Sequence, residues 1–225
     1  METPIGQALK SRGPSLWITT AISAAVVGAD LALVATGRLT VQWLYLLTVV
    51  VILSSSAVAL HRRNAASFGL RLSPLQGWVY WAKVTILLGA VFLVVLLVFA
   101  AVFLGLLQYQ IPARYNYISH PSQVWPLFVL MCVVAPTTEE IVFRVAICPP
   151  ITAWLGPKAA IAISGVTFAA VHALSGNPGP DNLLAGFILA WAFLKSGTLA
   201  VPMALHSLGN LCAFGYQVVH FYWYL

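Results

Sequence analysis

Two adjacent glutamates, Glu139 and Glu140, followed by Arg144, stand in an otherwise apolar stretch of a 225-residue chain that has only five acidic residues in all. Ionisable groups inside a membrane span cost at least ~2.5 kcal/mol each on insertion scales and by default mark a functional site. On a helix advancing about 100° per residue, Glu140 and Arg144 share a face and Glu139 points elsewhere. Arg144 is therefore expected to pair with Glu140 as a structural support, which leaves Glu139 to face a cavity. Two further apolar stretches each carry a histidine paired at four-residue spacing, Phe168 with His172 and His206 with Asn210, so that each pair shares a helical face. One histidine in a helix is most often a satisfied core residue. Two on different helices, beside a glutamate set apart from its arginine, are harder to dismiss.

Hydrolytic chemistry needs an activated water, a proton donor for the leaving group, and donors aimed at a developing oxyanion. Carboxylate, imidazole and amide groups can supply all three. The same side chains permit a zinc site with Glu139, His172 and His206 as ligands and an open fourth position. An HExxH motif is absent, and with all three on a metal only Glu140 would remain as a base, already claimed by Arg144, so a metal-free site is expected. Buried Glu, His and Arg also build proton relays in transporters, although no pair of broken helices repeats between two halves of the chain. A non-catalytic immunity or scaffold protein that keeps the site as a relic is the remaining alternative.

The elements that must position these groups are membrane helices. Hydrophobic residues make up 61% of the chain and charged ones 7%, with a mean hydropathy of +0.93, and a water-facing surface cannot be built from that composition. This excludes a secreted domain, a disordered chain and, despite the net charge of +6, a nucleic-acid reader. Apolar stretches at 17–36, 41–60, 79–107, 125–148, 159–173, 183–194 and 199–219 predict an all-α, polytopic transmembrane bundle of about seven helices. They form one membrane domain over 1–225, with three amino-terminal helices in 17–107 and the site-bearing helices in 125–219. Pro136 and Pro202 precede the acidic pair and His206; each either opens the helix ladder there or, for Pro202, sits harmlessly in a first turn. Cys132, Cys148 and Cys212 show no metal or disulfide spacing and read as small buried hydrophobes. Trp78, Tyr80 and Trp81 read as interfacial anchors, as does the aromatic run at 220–224.

Basic residues divide unevenly between alternate sides of this topology. Lys10, Arg12, Arg62, Arg63, Arg71, Lys158 and Lys195 fall on one side, and Arg38 and Arg114 on the other. The side rich in Lys and Arg is cytoplasmic, so the amino terminus is expected inside and the catalytic layer in the cytoplasmic half.

Taken in order, EExxxR at 139–144, FxxxH at 168–172 and HxxxN at 206–210 resemble the motifs of the CPBP family, membrane-embedded proteases that include the type II CAAX prenyl endopeptidases and bacteriocin-processing or self-immunity proteins. The resemblance covers about 125–219. It implies an intramembrane endopeptidase in which Glu139 and His172 activate water, Glu139 returns the proton to the amine, and His206 and Asn210 hold the oxyanion. Glu140, Arg144 and Phe168 then support that set. No cofactor is implied, and the partners are the bilayer and a membrane-embedded or lipidated protein or peptide substrate. The expected location is a prokaryotic cell membrane, the inner one where there are two. Single cysteines at positions 62 and 114 test the topology: a membrane-impermeant thiol reagent added to intact cells is expected to modify 114 and spare 62, and the reverse would place the site facing outward.

Overall fold

The structure, a computed structural model, describes residues 68–99, 101–102, 118–177 and 179–223, together with Ala25, Gly28, Ala32, Thr36 and Gly37. The expected first two helices, apart from the few positions just named, and the basic residues Lys10, Arg12, Arg38, Arg62, Arg63 and Arg114 lie outside the described residues. Five long helices fill the rest: α1 (Trp78–Phe99), α2 (Pro121–Leu155), α3 (Pro157–Leu174), α4 (Pro180–Ser196) and α5 (Ala200–Trp223). Among the described residues there is no strand, only an isolated bridge between Leu70 and Thr198. The chain is an integral membrane protein on this evidence, since α1, α2 and α3 are each long and apolar enough to cross a bilayer.

The longest helix, α2, is not wound uniformly. Two stretches adopt π-helix, Leu130–Val134 and Ile141–Ile147, around the α-helical turn Ala135–Glu140 that carries both glutamates. Prolines explain their places. Pro136 lacks the N–H that would bond the Cys132 carbonyl, and Pro149 and Pro150 lack those for Val145 and Ala146, so each wide stretch precedes the residue that cannot close the ordinary ladder. The break expected at Pro149 is thereby absorbed, and the helix runs on to Leu155 before Gly156 turns the chain at a φ of 85°. Pro202 is the harmless case: α5 begins at Ala200, so this proline sits in the first turn, where its missing N–H has no intrahelical partner.

The remaining helices divide α2 between them. The part from Val124 to Glu140 packs against α5, while the part from Ile141 to Leu155 packs against α3, and α4 lies along both α3 and α5. Ahead of α1, the segment around Gly69 to Gln76 ties onto the α4–α5 turn: Leu199 N–H donates to the Gly69 carbonyl, Leu75 N–H to Ser196, and Gln76 Nε2 to Lys195. Trp81 is not an interfacial anchor. It is buried against Trp191, with its indole N–H donated to Gln76; Trp78, by contrast, is half exposed.

Helices α3 and α4 approach most closely at Gly165 and Gly186. A Cβ on Gly186 would fall 2.7 Å from the Gly165 carbonyl oxygen, which is backbone and cannot rotate aside. Gly186→Val is expected to lower stability by about 1–3 kcal/mol, the usual cost of overpacking, in thermal unfolding of the detergent-solubilised protein, whereas Gly209→Ala on α5, with open space around it, should be neutral.

Candidate active site

The acidic pair separates as helical phase predicts. Arg144 Nε donates to Glu140 Oε2 at 2.8 Å and Nη2 to Oε1 at 3.3 Å, with both side chains fully buried. A carboxylate gripped by a guanidinium in this bidentate way is ionised. His206 adds a third bond to the same group, its Nδ1 lying 2.9 Å from Glu140 Oε1. An ionised carboxylate only accepts, so Nδ1 of His206 carries a proton. The second ring is fixed by the same logic: His172 Nδ1 lies 2.9 Å from the Phe168 carbonyl, which also only accepts, so this nitrogen too is protonated.

Both imidazoles therefore turn their Nε2 atoms inward, and both face Glu139. The Glu139 Oε2 atom is 3.6 Å from His172 Nε2 and 3.7 Å from His206 Nε2. These separations exceed a direct hydrogen bond, yet one water can touch Oε2 and either ring at once. Glu139 is 4% exposed and His206 8%, so such a water would sit in a pocket of low dielectric.

Phe168 organises the rings. Its face stacks on His172 with centroids 4.3 Å apart, its neighbourhood includes the edges of Phe143 and His206, and the Arg144 guanidinium lies 5.3 Å from its centroid. The His172 backbone is held as well, its carbonyl accepting from Ser175 Oγ and from Asn177 N–H at 2.9 Å each. Asn210, one turn beyond His206, donates from Nδ2 to the Met131 carbonyl in the first π-wound stretch at 2.7 Å. One N–H of that amide is thus engaged and its second is not part of this bond.

Of the sequence-derived set, Glu139 lies within 3.7 Å of both His172 and His206, Glu140 and Arg144 stand behind His206, and Phe168 contacts both rings, while Asn210 is placed by its bond to Met131. Ser164, bonded to Arg144, and Met131, bonded to Asn210, were not foreseen. Counted along the helices at ~1.5 Å per residue, the layer lies ~9 Å from the start of α5 and ~24 Å from the end of α2. Its depth is thus greater along α2 than the expected boundary at Cys148 implied. Among the described residues, no group of three or more His, Cys, Asp and Glu side chains has the arrangement of a metal site. With Glu140 held by both Arg144 and His206, no carboxylate of this cluster would be left to serve as base beside a zinc ion on Glu139.

Part of the chain resembles a known family of membrane proteases. Residues 121–212 match the family described as Type II CAAX prenyl endopeptidase Rce1-like, the stretch that holds all three motifs, so the recognition carried by those motifs stands for this part of the chain. No curated protein and no solved structure matches the chain.

Arg144→Ala is expected to strand Glu140 as a buried charge, at ~3–5 kcal/mol, and to reduce folded protein in the membrane fraction. An Arg144→Ala protein of normal yield and melting temperature would contradict that role.

Proposed function

We propose that the chain is an intramembrane endopeptidase of the glutamate type, acting without a metal on a membrane-anchored or lipidated protein, or on a carboxyl-terminal sorting or leader peptide. The observation that supports this reading is the convergence of Glu139 Oε2 with two Nε2 atoms from α3 and α5, each ring anchored through its Nδ1. Glu139 takes a proton from the water between these groups as its oxygen attacks the scissile carbonyl carbon, with His172 Nε2 orienting that water. When the carbon–nitrogen bond breaks, Glu139 gives the proton to the departing amine. The oxyanion formed meanwhile is met by His206 and by the second N–H of Asn210. His206 can donate from Nε2 only as imidazolium; the oxyanion itself balances that charge, while the Glu140 carboxylate, already paired with Arg144, accepts from Nδ1–H.

A helical peptide hides its carbonyls in internal bonds, so the substrate must be unwound at the cleavage point. Its apolar part enters from the lipid between helices and its polar end stays in cytoplasmic water, in a prokaryotic cell membrane.

The test reconstitutes the full chain in vesicles with an internally quenched farnesylated peptide ending in Cys-aliphatic-aliphatic-X, and compares the membrane proteomes of cells making wild-type protein or Glu139→Gln. Glu139→Gln and His172→Ala are expected to abolish cleavage, while Asn210→Ala retains activity reduced ~10²- to 10³-fold, as for loss of one oxyanion donor. If neither the peptide nor any cellular fragment depends on Glu139, the protease reading fails. Inhibition by phenanthroline but not by its non-chelating isomer, with stoichiometric metal in the purified protein, would transfer it to zinc.

A further inference from the structure

The hydrogen-bonded chain behind His206 continues past Arg144. Arg144 Nη1 donates to Ser164 Oγ on α3 at 2.6 Å, and this hydroxyl donates to the Phe143 carbonyl at 2.9 Å. Ser164, Arg144 and Glu140 are each 0% exposed, so no solvent can substitute for any of these partners. A serine hydroxyl has one hydrogen. Because that hydrogen goes to a backbone oxygen, the lone pairs are left for the guanidinium, which can only donate, here to Ser164 through Nη1 and to Glu140 through Nε and Nη2.

Geometry makes the serine more than a filler. The guanidinium is a rigid plane, and the nitrogen bound to Ser164 is not one of the two that grip Glu140. A plane held at all three nitrogens cannot swing. Released at Nη1, it can turn toward another acceptor only by carrying Nε and Nη2 off the carboxylate, which then loosens its hold on His206. Ser164 also lies outside the three motifs. It anchors to Phe143, a residue of the second π-wound stretch, much as Asn210 anchors to Met131 in the first.

We propose that Ser164 is a positioning residue of the active site, holding His206 in its Nδ1-protonated orientation toward Glu139 through Arg144 and Glu140. Its effect on turnover rests on the protease reading; its effect on His206 does not. The experiment compares wild type with Ser164→Ala, Ser164→Cys and Ser164→Thr, all as full-length protein in lipid nanodiscs. Two readouts are taken: kcat and KM on the farnesylated peptide, and the Nδ1–H resonance of His206 in protein carrying isotope-labelled histidine, assigned by its loss in His206→Gln.

Ser164→Ala is expected to lower kcat about 10- to 100-fold, the scale of a small misplacement at a reacting centre, with KM within about twofold of wild type. The His206 resonance should move upfield or broaden away. Ser164→Cys, of similar volume but a weak acceptor, should behave in the same way. Ser164→Thr, which keeps the hydroxyl, should restore both readouts. An unchanged His206 resonance in folded Ser164→Ala or Ser164→Cys overturns the proposal, and so does loss of folded protein in both, as a purely structural role would give. A wild-type protein that cleaves nothing would defeat the protease reading alone and leave the resonance to judge Ser164.

Discussion

A buried arginine governs the interior of this protein. Arg144 is the largest fully buried side chain among the described residues, and a guanidinium in a membrane interior is tolerable only with its charge matched and its N–H groups bonded. Glu140 meets the first need and Ser164 shares in the second. Meeting them commits three helices: α2 supplies the pair, α3 the hydroxyl, and α5 a histidine that joins the same carboxylate. The orientation of His206 toward Glu139 follows from how that charge is satisfied. The exposed faces carry many large apolar side chains, and in lipid such faces give no hydrophobic drive to associate, so close packing and interhelical hydrogen bonds hold the helices together.

Part of this was legible from spacing alone. Glu140 and Arg144 are four residues apart, so helical phase assigns them to each other and turns Glu139 away, even though π-helix intervenes in the observed winding. The histidines were legible because imidazole is rare in apolar helices and two stood on different ones. Ser164 was not: a serine in an apolar helix commonly bonds its own backbone, and its neighbour here is twenty residues away. The Asn210 bond was equally hidden, because the Met131 carbonyl it reaches lies in a stretch whose winding is set by a proline five residues on.

Helix existence was read better than helix ends. The stretches at 159–173 and 183–194 correspond to α3 and α4, each longer in the structure because terminal prolines, glycines and polar residues begin and end helices as readily as they break them. Pro149 and Pro150 looked like a boundary and proved internal. Trp81 looked like an interfacial residue, since aromatic residues at the end of an apolar run usually are; its Gln76 acceptor stands only five residues ahead, but the Trp191 ring it packs against comes from a helix that no local pattern connects.

The division of α2 between its two partners bears on the mechanics of the site. Helix α3 ends two residues beyond His172, whereas α5 begins only six residues before His206 and continues well past it. The two histidine-bearing helices thus overlap mainly where their side chains meet, and each is braced to a different half of α2. Bilayers adjust to helix length through tilt, at fractions of a kcal/mol per Å of mismatch. A change in tilt of α5 that leaves α3 in place is a small strain for the bundle and a direct displacement between Glu139 and one of its two imidazoles. Lipid chain length is in this way a variable of the geometry around Glu139.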